Sequence, residues 1–511
     1  MLTVGAALTS AAKRMGSKEA LIFGQERLSY QELERQTNQF ARALQAVGVC
    51  HGDRVGLLLP NGLEMSRAYF GIAKAGAIAV PLNLRWAAPE IAYALDDAGV
   101  SLLLADPEFR PLISQLGVVD TPVFYSGESG DWTRLCEAQE PEPLLDVVVK
   151  ETDPWVLVYT SGTTGRPKGA VRNHIGNLMI ALTLVSEMGI HSEQTGFAIL
   201  PMFHVNSMWF VTLSVAIGAT CVIYPHRAFH PRHIIEQMNE HRVNYSMFVP
   251  SLLTFLADAV ESGVVLPDAL EVIMTSSAPL TGSLRDRILK GFPRSRLFDI
   301  YGATEYGAAT ILRHRLGGAL GSVGYATMGL DLKILDDRRQ PVPDGTVGEV
   351  FARGMSVISE YWKQPEANRE NFTPDGYLTV GDLGYQNRDG MLFLVDRKQD
   401  MIVVAGENVY PTEVEDVLLR SASVALSAVF GIPDERRGER VVAAVVAKPN
   451  EAVQVEELID LCRRFLADYK RPHRIEVVAE LPLGPAGKVV RRLARQQFLA
   501  VWSDSEPPLT P

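Results

Sequence analysis

Residues 28–105 alternate between helical and strand patterns, and this alternation restricts the fold more than any other feature of the chain. LSYQELERQTNQFARALQAVG opens with Ser29 as an N-cap and Glu32 three residues on, a capping box, and it ends at Gly48. RVGLLLP follows as a buried strand, then a helical pattern over Glu64–Lys74, then the strand AIAVPL. Strand, crossover helix and strand in that order form a βαβ unit, which implies a parallel sheet with helices on both faces. A similar rhythm runs through Asp153–Ala278, where GFAILP, ATCVIYP, YSMFVP and LEVIMTSS have the look of strand ends. From Gly329 to Val395 short β patterns dominate, with turn signals at Pro343-Asp344-Gly345 and Arg388-Asp389-Gly390. After Arg397, helical patterns over Glu413–Arg420 and Val455–Asp468 mix with the strands ALSAVFGI, RVVAAVVAK and RIEVVAE. This is a small α+β domain of about a hundred residues, within the usual domain range. A chain of 511 residues exceeds what one hydrophobic core usually covers. The expected fold class is therefore α/β. A large N-terminal domain of parallel-rich sheets flanked by helices, with a β-rich subdomain, spans 1–396, and a small C-terminal α+β domain spans 401–511.

Tyr159–Ala170 reads YTSGTTGRPKGA. It combines the hydroxyls of Thr160, Ser161, Thr163 and Thr164 with Gly162, Gly165, Gly169 and Lys168. Glycines let backbone N–H groups approach a phosphate, hydroxyls donate to its oxygens, and the lysine adds a point charge. The preceding WVLVYT is apolar, β-branched and aromatic, as expected of a buried strand that delivers the loop. A Gly/Ser/Thr-rich surface turn is the bland alternative. The pattern is not GxxxxGK[ST]: Lys168 follows Pro167 and precedes Gly169, so a kinase or GTPase reading loses its main support. In open α/β sheets ligands bind outside the carboxyl ends of strands. Pro201-Met202-Phe203-His204, Ser276-Ser277-Ala278-Pro279 and Tyr301-Gly302-Ala303 each follow an apolar run, so they are expected to converge on one crevice.

The loop resembles the phosphate-binding segment of the adenylate-forming (AMP-binding) superfamily: acyl-CoA synthetases, aryl-CoA ligases, luciferases and peptide-synthetase adenylation domains. Further motifs similar to those of the superfamily follow in its order. They are FHV at Phe203–Val205, YGATE at Tyr301–Glu305, YLTVGDLG at Tyr377–Gly384, DRKQDMI at Asp396–Ile402, GENVYPTEVE at Gly406–Glu415 and LPLGPAGK ending at Lys488. The branch resembled is that of fatty-acid or aryl-acid CoA ligases, which use ATP, Mg²⁺ and CoA and pass through an acyl-adenylate.

The resemblance implies a role for each matching residue. Thr160–Lys168 would grip the β- and γ-phosphates, Thr304 would bond the α-phosphate, and Glu305 with Thr160 would hold Mg²⁺. Ser277, Ala278, Pro279, Tyr301 and Gly302 would border the nucleotide, Asp382 would accept from the ribose hydroxyls, and Arg397 would add a sugar or phosphate contact. Lys488 would be the mobile lysine that bridges carboxylate and α-phosphate. His204 would line the acyl pocket or gate the thiol, beside Val205, Asn206, Ser207, Met208, Tyr301, Gly302 and Ala308. A hinge is implied at 397–400, where Gln399 stands in place of the usual Asp or Lys. Ala405 replaces one glycine of the pair that often precedes ENVYP, and Gly406 would belong to the loop lining the pantetheine tunnel. FHVNSMWF carries no acidic residue, unlike the matching segment of peptide-synthetase domains, so an amino-acid substrate is disfavoured. The partners implied are a small carboxylic acid, ATP and CoA, with homodimerisation left open. The alternatives are an enzyme that loads a carrier-protein thiol and a catalytically silent nucleotide-binding relative.

Charge and cysteines agree with this class. A net charge of −11 argues against nucleic-acid binding, which calls for a basic face, while ATP and CoA need only a local cationic pocket. Cys50, Cys136, Cys221 and Cys462 have no metal-type spacing and fit a reducing cytosol. The early apolar stretch has Lys13 and Arg14 after it, whereas a secretory signal places charge before it. Trp209–Ile223, the longest apolar stretch, is interrupted by Thr212, Ser214 and Thr220 and reads as a core helix running into a strand, not a membrane span. The expected location is the cytoplasm.

Overall fold

The structure, a computed structural model, describes residues 2–117, 121–127, 130–160, 167–265, 268–316, 318, 321–405, 407–434, 436–484 and 489–501. The chain divides into two compact units, one comprising Met1–Leu332 with Ala352–Leu378, the other Lys333–Phe351 with Thr379–Pro511.

The first unit holds two sheets. In one, Arg296–Ala303, Val272–Ser276, Tyr245–Phe248, Thr195–Ala198, Thr220–Ile223 and Glu19–Phe23 lie side by side in that order, all parallel. Gly307–Arg313 adds antiparallel next to Arg296–Ala303, and Glu26–Ser29 next to Glu19–Phe23. In the second sheet Pro154–Thr160, Ile78–Pro81, Arg54–Leu58, Val100–Ala105 and Val123–Tyr125 are parallel. Lys168–Asn173 and Glu360–Tyr361 extend it antiparallel beyond Pro154–Thr160. The helix Tyr30–Ala46 begins where the capping box places it, with the Ser29 hydroxyl accepting from the Glu32 N–H at 3.1 Å. It packs against Leu63–Ala75 so closely that a Cβ on Gly71 would lie 2.4 Å from the Phe40 ring.

The apolar stretch expected as a helix running into a strand forms Val205–Ile217 followed by Thr220–Ile223, separated by Gly218 in the left-handed region. The helix is buried on nearly every side. Two of its three hydroxyls are satisfied within the helix: Thr212 donates to the Met208 carbonyl at 2.8 Å and Ser214 to that of Phe210 at 2.9 Å. Among the described residues no helix is long and apolar enough to cross a membrane.

In the second unit Asp382–Gln386, the end of the strand Leu378–Gln386, pairs antiparallel with Leu392–Arg397. Gly438–Ala447 pairs antiparallel with Val424–Asp434 and Ile402–Val404 and parallel with Arg474–Val478. Val404, Val414, Leu418, Val429, Val445, Leu458 and Ile475 form its apolar core beneath the helices Pro411–Leu418 and Val455–Phe465. The residues 397–400 lie inside this unit. One guanidinium links that segment to the helix Pro411–Leu418: Arg491 Nη1 donates to Asp396 at 2.9 Å and to Asp400 at 3.0 Å. Its Nε and Nη2 donate to the Glu415 carboxylate at 2.8 and 2.6 Å. The chain thus combines a large N-terminal mixed α/β part with a smaller C-terminal α+β part, the expected fold class.

Candidate active site

Thr160 ends one strand and Lys168 begins the next, and the two are register partners in an antiparallel pair. The glycine- and hydroxyl-rich segment therefore joins two hairpin strands, whereas a P-loop joins a strand to a helix. Ser161, Gly162, Thr163, Thr164 and Gly165 lie outside the described residues, as do Gly406 and Lys488.

Glu305 is the buried anion at the mouth of this hairpin, with 7% of its surface exposed. Its Oε1 accepts from the Thr160 hydroxyl at 3.1 Å and from the Tyr361 hydroxyl at 3.2 Å. Its backbone carbonyl accepts from the Ile358 N–H at 2.9 Å. Lys168 Nζ stands 5.6 Å from the centre of the Tyr361 ring, so hairpin cation, phenol and carboxylate are stacked in sequence. Burial first, and then the Glu305 charge, push the Tyr361 phenol well above its ordinary range, so it stays a hydrogen-bond donor.

Behind this corner sits Arg172, 1% exposed, which the motif reading did not anticipate. Nη1 donates to the Thr304 carbonyl at 2.6 Å and Nη2 to that of Ser356 at 2.9 Å. Nε reaches Asn177 Oδ1 at 3.5 Å, and the guanidinium lies 5.0 Å from the Trp209 ring centre. Burial lowers its pKa to about 9, and the Glu305 charge acts in the opposite direction, so it carries its charge at neutral pH. A buried cation is tolerated when its N–H groups are matched and its charge is offset, and both conditions are met here. The available signal was the charged Arg172 following the apolar residues of the strand sequence KGAVRN.

Beside Thr304 opens a cleft. His204, Val205, Asn206, Ser277, Gly302, Thr304 and Ala308 line it, so the three strand-end segments do converge. Leu184, Trp209, Met247 and Ile300 complete its apolar walls, and none of them was an expected site residue. Tyr301 and Ser207 are not among the lining residues. Ser207 is buried and its hydroxyl donates to the Leu200 carbonyl at 2.7 Å, turning it away from the cleft. Met208 is likewise buried in the core. Gly302 is required by the strand pairing: a Cβ there would lie 2.0 Å from the Gly307 carbonyl oxygen, where the register between Tyr301 and Gly302 shifts. Ser277, just before Ala278 and Pro279, holds a φ of +74°, a left-handed conformation rare for a serine.

Within the second unit Asp382 and Arg397 are register partners, and Arg397 Nε donates to Asp382 Oδ1 at 3.1 Å. Lys398, next in sequence, bonds Asp337 at 2.9 Å and Glu349 at 3.0 Å. Ala405 adopts φ +52°, a conformation that favours glycine, where the resemblance anticipates one. Among the described residues no group of three or more His, Cys, Asp or Glu side chains could hold a metal. A lone carboxylate with a hydroxyl beside it, as at Glu305 and Thr160, fits a hard cation that takes its remaining oxygens from phosphates.

Two family models match the chain: AMP-binding enzyme over residues 8–362 and AMP-binding enzyme C-terminal domain over 413–488. The chain is a member of the AMP-binding enzyme family. This AMP-binding enzyme is 34% identical over 491 residues to a fatty acid–[acyl-carrier-protein] ligase of Streptomyces coeruleorubidus, covering 94% of this chain and 92% of that protein. It is 33% identical over 483 residues to a feruloyl-CoA synthase of Amycolatopsis, covering 94% and 96%. Among solved structures, the o-succinylbenzoate CoA synthetase of Bacillus subtilis with ATP and magnesium ion superposes with a TM-score of 0.85 at 28% identity, covering 96% and 99%. ATP-dependent adenylate-forming ligase chemistry is generic to the family, and the similarity supports enzymatic activity of this kind for the AMP-binding enzyme described here.

Proposed function

We propose that the protein is an ATP-dependent carboxylic acid:CoA ligase that forms an acyl-adenylate and then an acyl-CoA, acting on a fatty or aromatic acid. The observation that carries this reading is the adjacency of Thr304 and Glu305. Thr304 lines the apolar cleft, while Glu305 is tied through Thr160 to the glycine-rich hairpin. An acid held in the cleft would present its carboxylate to the α-phosphate of an ATP that Thr304 would bond. Its oxygen attacks the α-phosphorus, the bond to the β-phosphate breaks, and pyrophosphate leaves. The CoA thiol then attacks the acyl carbonyl and AMP departs.

The charge repulsion of the first step needs cations and fixed donors, each typically worth about 2.7–4 kcal/mol by oxyanion-hole analogy. Lys168 would neutralise the leaving phosphates, with the hydroxyls of the hairpin as donors. Lys488 would bridge carboxylate and α-phosphate. Mg²⁺ held at Glu305 and Thr160 would supply the remaining charge. Arg172 keeps the Thr304–Glu305 backbone in place, Asp382 would accept from the ribose hydroxyls, and Arg397 would orient Asp382 and contact the sugar or phosphate. His204 would flank the acyl group. Ala405 and Gly406 would border the path of the thiol.

Similarity to a carrier-protein ligase as well as to a CoA synthase favours a second acceptor reading, in which a carrier-protein thiol replaces CoA. Pyrophosphate release from Mg-ATP across fatty, aryl and amino acids, each with and without CoA, tests both. Release with one acid class plus a CoA-dependent thioester is the expected result. Release that CoA does not affect moves the acceptor to a carrier protein, and ATP binding with no release from any acid overturns the ligase reading.

A further inference from the structure

We infer that the cleft recognises an oxygen-bearing substituent on the acyl part of its substrate, so that the preferred acid is a hydroxy- or oxo-substituted carboxylic acid and not a plain hydrocarbon acid. The inference rests on the ligase reading above and concerns the same cleft. Three of its lining residues, Asn206, Ser276 and Ser277, form one polar cluster. Asn206 Nδ2 lies 3.2 Å from Ser276 Oγ and 3.1 Å from Ser277 Oγ, and the two serine oxygens are 3.5 Å apart.

Hydrogen-bond capacity decides what the cluster can do. A primary amide brings two donors and one carbonyl oxygen, and each hydroxyl brings one donor and an acceptor oxygen. The Asn206 amide hydrogens are taken up by the two serine oxygens. Among the described residues the amide oxygen has no further partner, and the serine hydroxyls have only Met247 Sδ, 3.9 Å from Ser276 Oγ, and each other at 3.5 Å. Reversing the amide exchanges the roles but leaves the same surplus of one acceptor type and one donor type. A surplus of both kinds matches a hydroxyl or a carbonyl group.

The neighbouring hydroxyls behave differently. Ser207, Thr212 and Ser214, on the same helix as Asn206, each donate to a backbone carbonyl at 2.7–2.9 Å. Only the cluster at the cleft keeps capacity for an outside partner within this group. Ser277 also holds its place in a left-handed backbone conformation, a strain that persists where surrounding structure imposes it and that gathers at ligand sites. A hydrocarbon tail would strip water from the cluster and return no hydrogen bonds, which penalises it against an oxygenated congener.

The test uses the full-length enzyme, Mg-ATP and matched acids: octanoate with 3-hydroxyoctanoate and 3-oxooctanoate, benzoate with 4-hydroxybenzoate, and cinnamate with 4-hydroxycinnamate. Pyrophosphate release gives kcat/KM for each. In at least one set the oxygenated acid is expected to lead by tenfold or more, on the order expected when a site's polar groups must be matched. Asn206→Leu is expected to bring that ratio towards one, and Ser276→Ala, which removes a single oxygen, to reduce it severalfold. Urea unfolding midpoints confirm that each variant is folded. Turnover with no oxygenated preference in any set overturns this inference alone, as does a ratio that neither variant changes. No release from any acid overturns the ligase reading and this inference with it.

Discussion

Glu305 is held by a hydroxyl from one strand, a phenol from another and a backbone N–H from a third segment, so its carboxylate position is over-determined. Under the proposed function Glu305→Gln keeps the shape and removes the charge, and pyrophosphate release is expected to fall about 10²–10³-fold, with a higher Mg²⁺ requirement. An unchanged Mg²⁺ dependence would remove Glu305 from the metal site. Arg172→Met leaves the Thr304 and Ser356 carbonyls unmatched, and the loss of stability is expected near 3 kcal/mol, read from the urea midpoint. Arg172→Lys keeps the charge but cannot donate to both carbonyls in the same planar geometry, so only partial recovery is expected.

His174 carries a pH dependence of its own. It is fully buried, its Nδ1 accepts from the Val4 N–H at 3.3 Å, and its ring stacks on Trp155 at 6.2 Å. Burial, the largest cause, pulls its pKa from 6.5 to about 4. The folded state therefore holds it neutral while the unfolded chain takes up a proton. Its contribution is complete above pH 6.5 and is lost as pH falls to about 4, a change of about 3 kcal/mol. Urea midpoints of the wild type should fall more steeply over that window than those of His174→Gln, and parallel slopes would refute the assignment.

At the scale of elements, Arg491 joins pieces that lie 76 to 95 residues away in sequence: Asp396 and Asp400 lie on either side of Gln399, and Glu415 and Thr412 belong to the next helix. The Asp396 side chain is 2% exposed and also accepts from the Thr412 N–H at 2.7 Å. Arg491→Ala strands that carboxylate and should destabilise the second unit by about 3–5 kcal/mol. Limited proteolysis between residues 379 and 501 would detect it, and an unchanged cleavage pattern would show that the network contributes little. The pairing also bears on the segment around Gln399: Asp396 and Asp400, on either side of that neutral residue, are both bound to one cation. Elements marked by periodicity and caps were legible in advance. Ser29 with Glu32 located one helix start, and the continuous apolar runs located the parallel strands. The helix Val205–Ile217 starts earlier than Trp209 because Asn206 and Ser207, polar in sequence, are placed by partners on other segments.

For the whole molecule, each unit has its own apolar core, and the residues proposed for catalysis are divided between them. If Lys488 serves only the first half-reaction, Lys488→Ala should cut acyl-adenylate formation about 10²-fold or more while sparing thioester formation from a supplied acyl-adenylate and CoA. Equal loss of both half-reactions would contradict that division.

The sequence by itself determined the fold class and the family. Strand and helix periods report which face of each element is buried, and loops of glycine, hydroxyl and lysine carry their chemistry locally. The ordered motifs from Tyr159 to Lys488 add a pattern that is independent of contacts. Only the tertiary structure decided which side chains meet. Arg172 faces Thr304 across 132 positions, Asn206 meets Ser277 across 71, and Leu184, Met247 and Ile300 line one cleft from three separate elements. Hydrophobic period specifies that a residue is inside but not its neighbour, because apolar attraction is non-directional. The partner of a buried polar group is set by where the backbones finally pack, and that is why Ser207 and Asn206, adjacent in sequence, end in different surroundings.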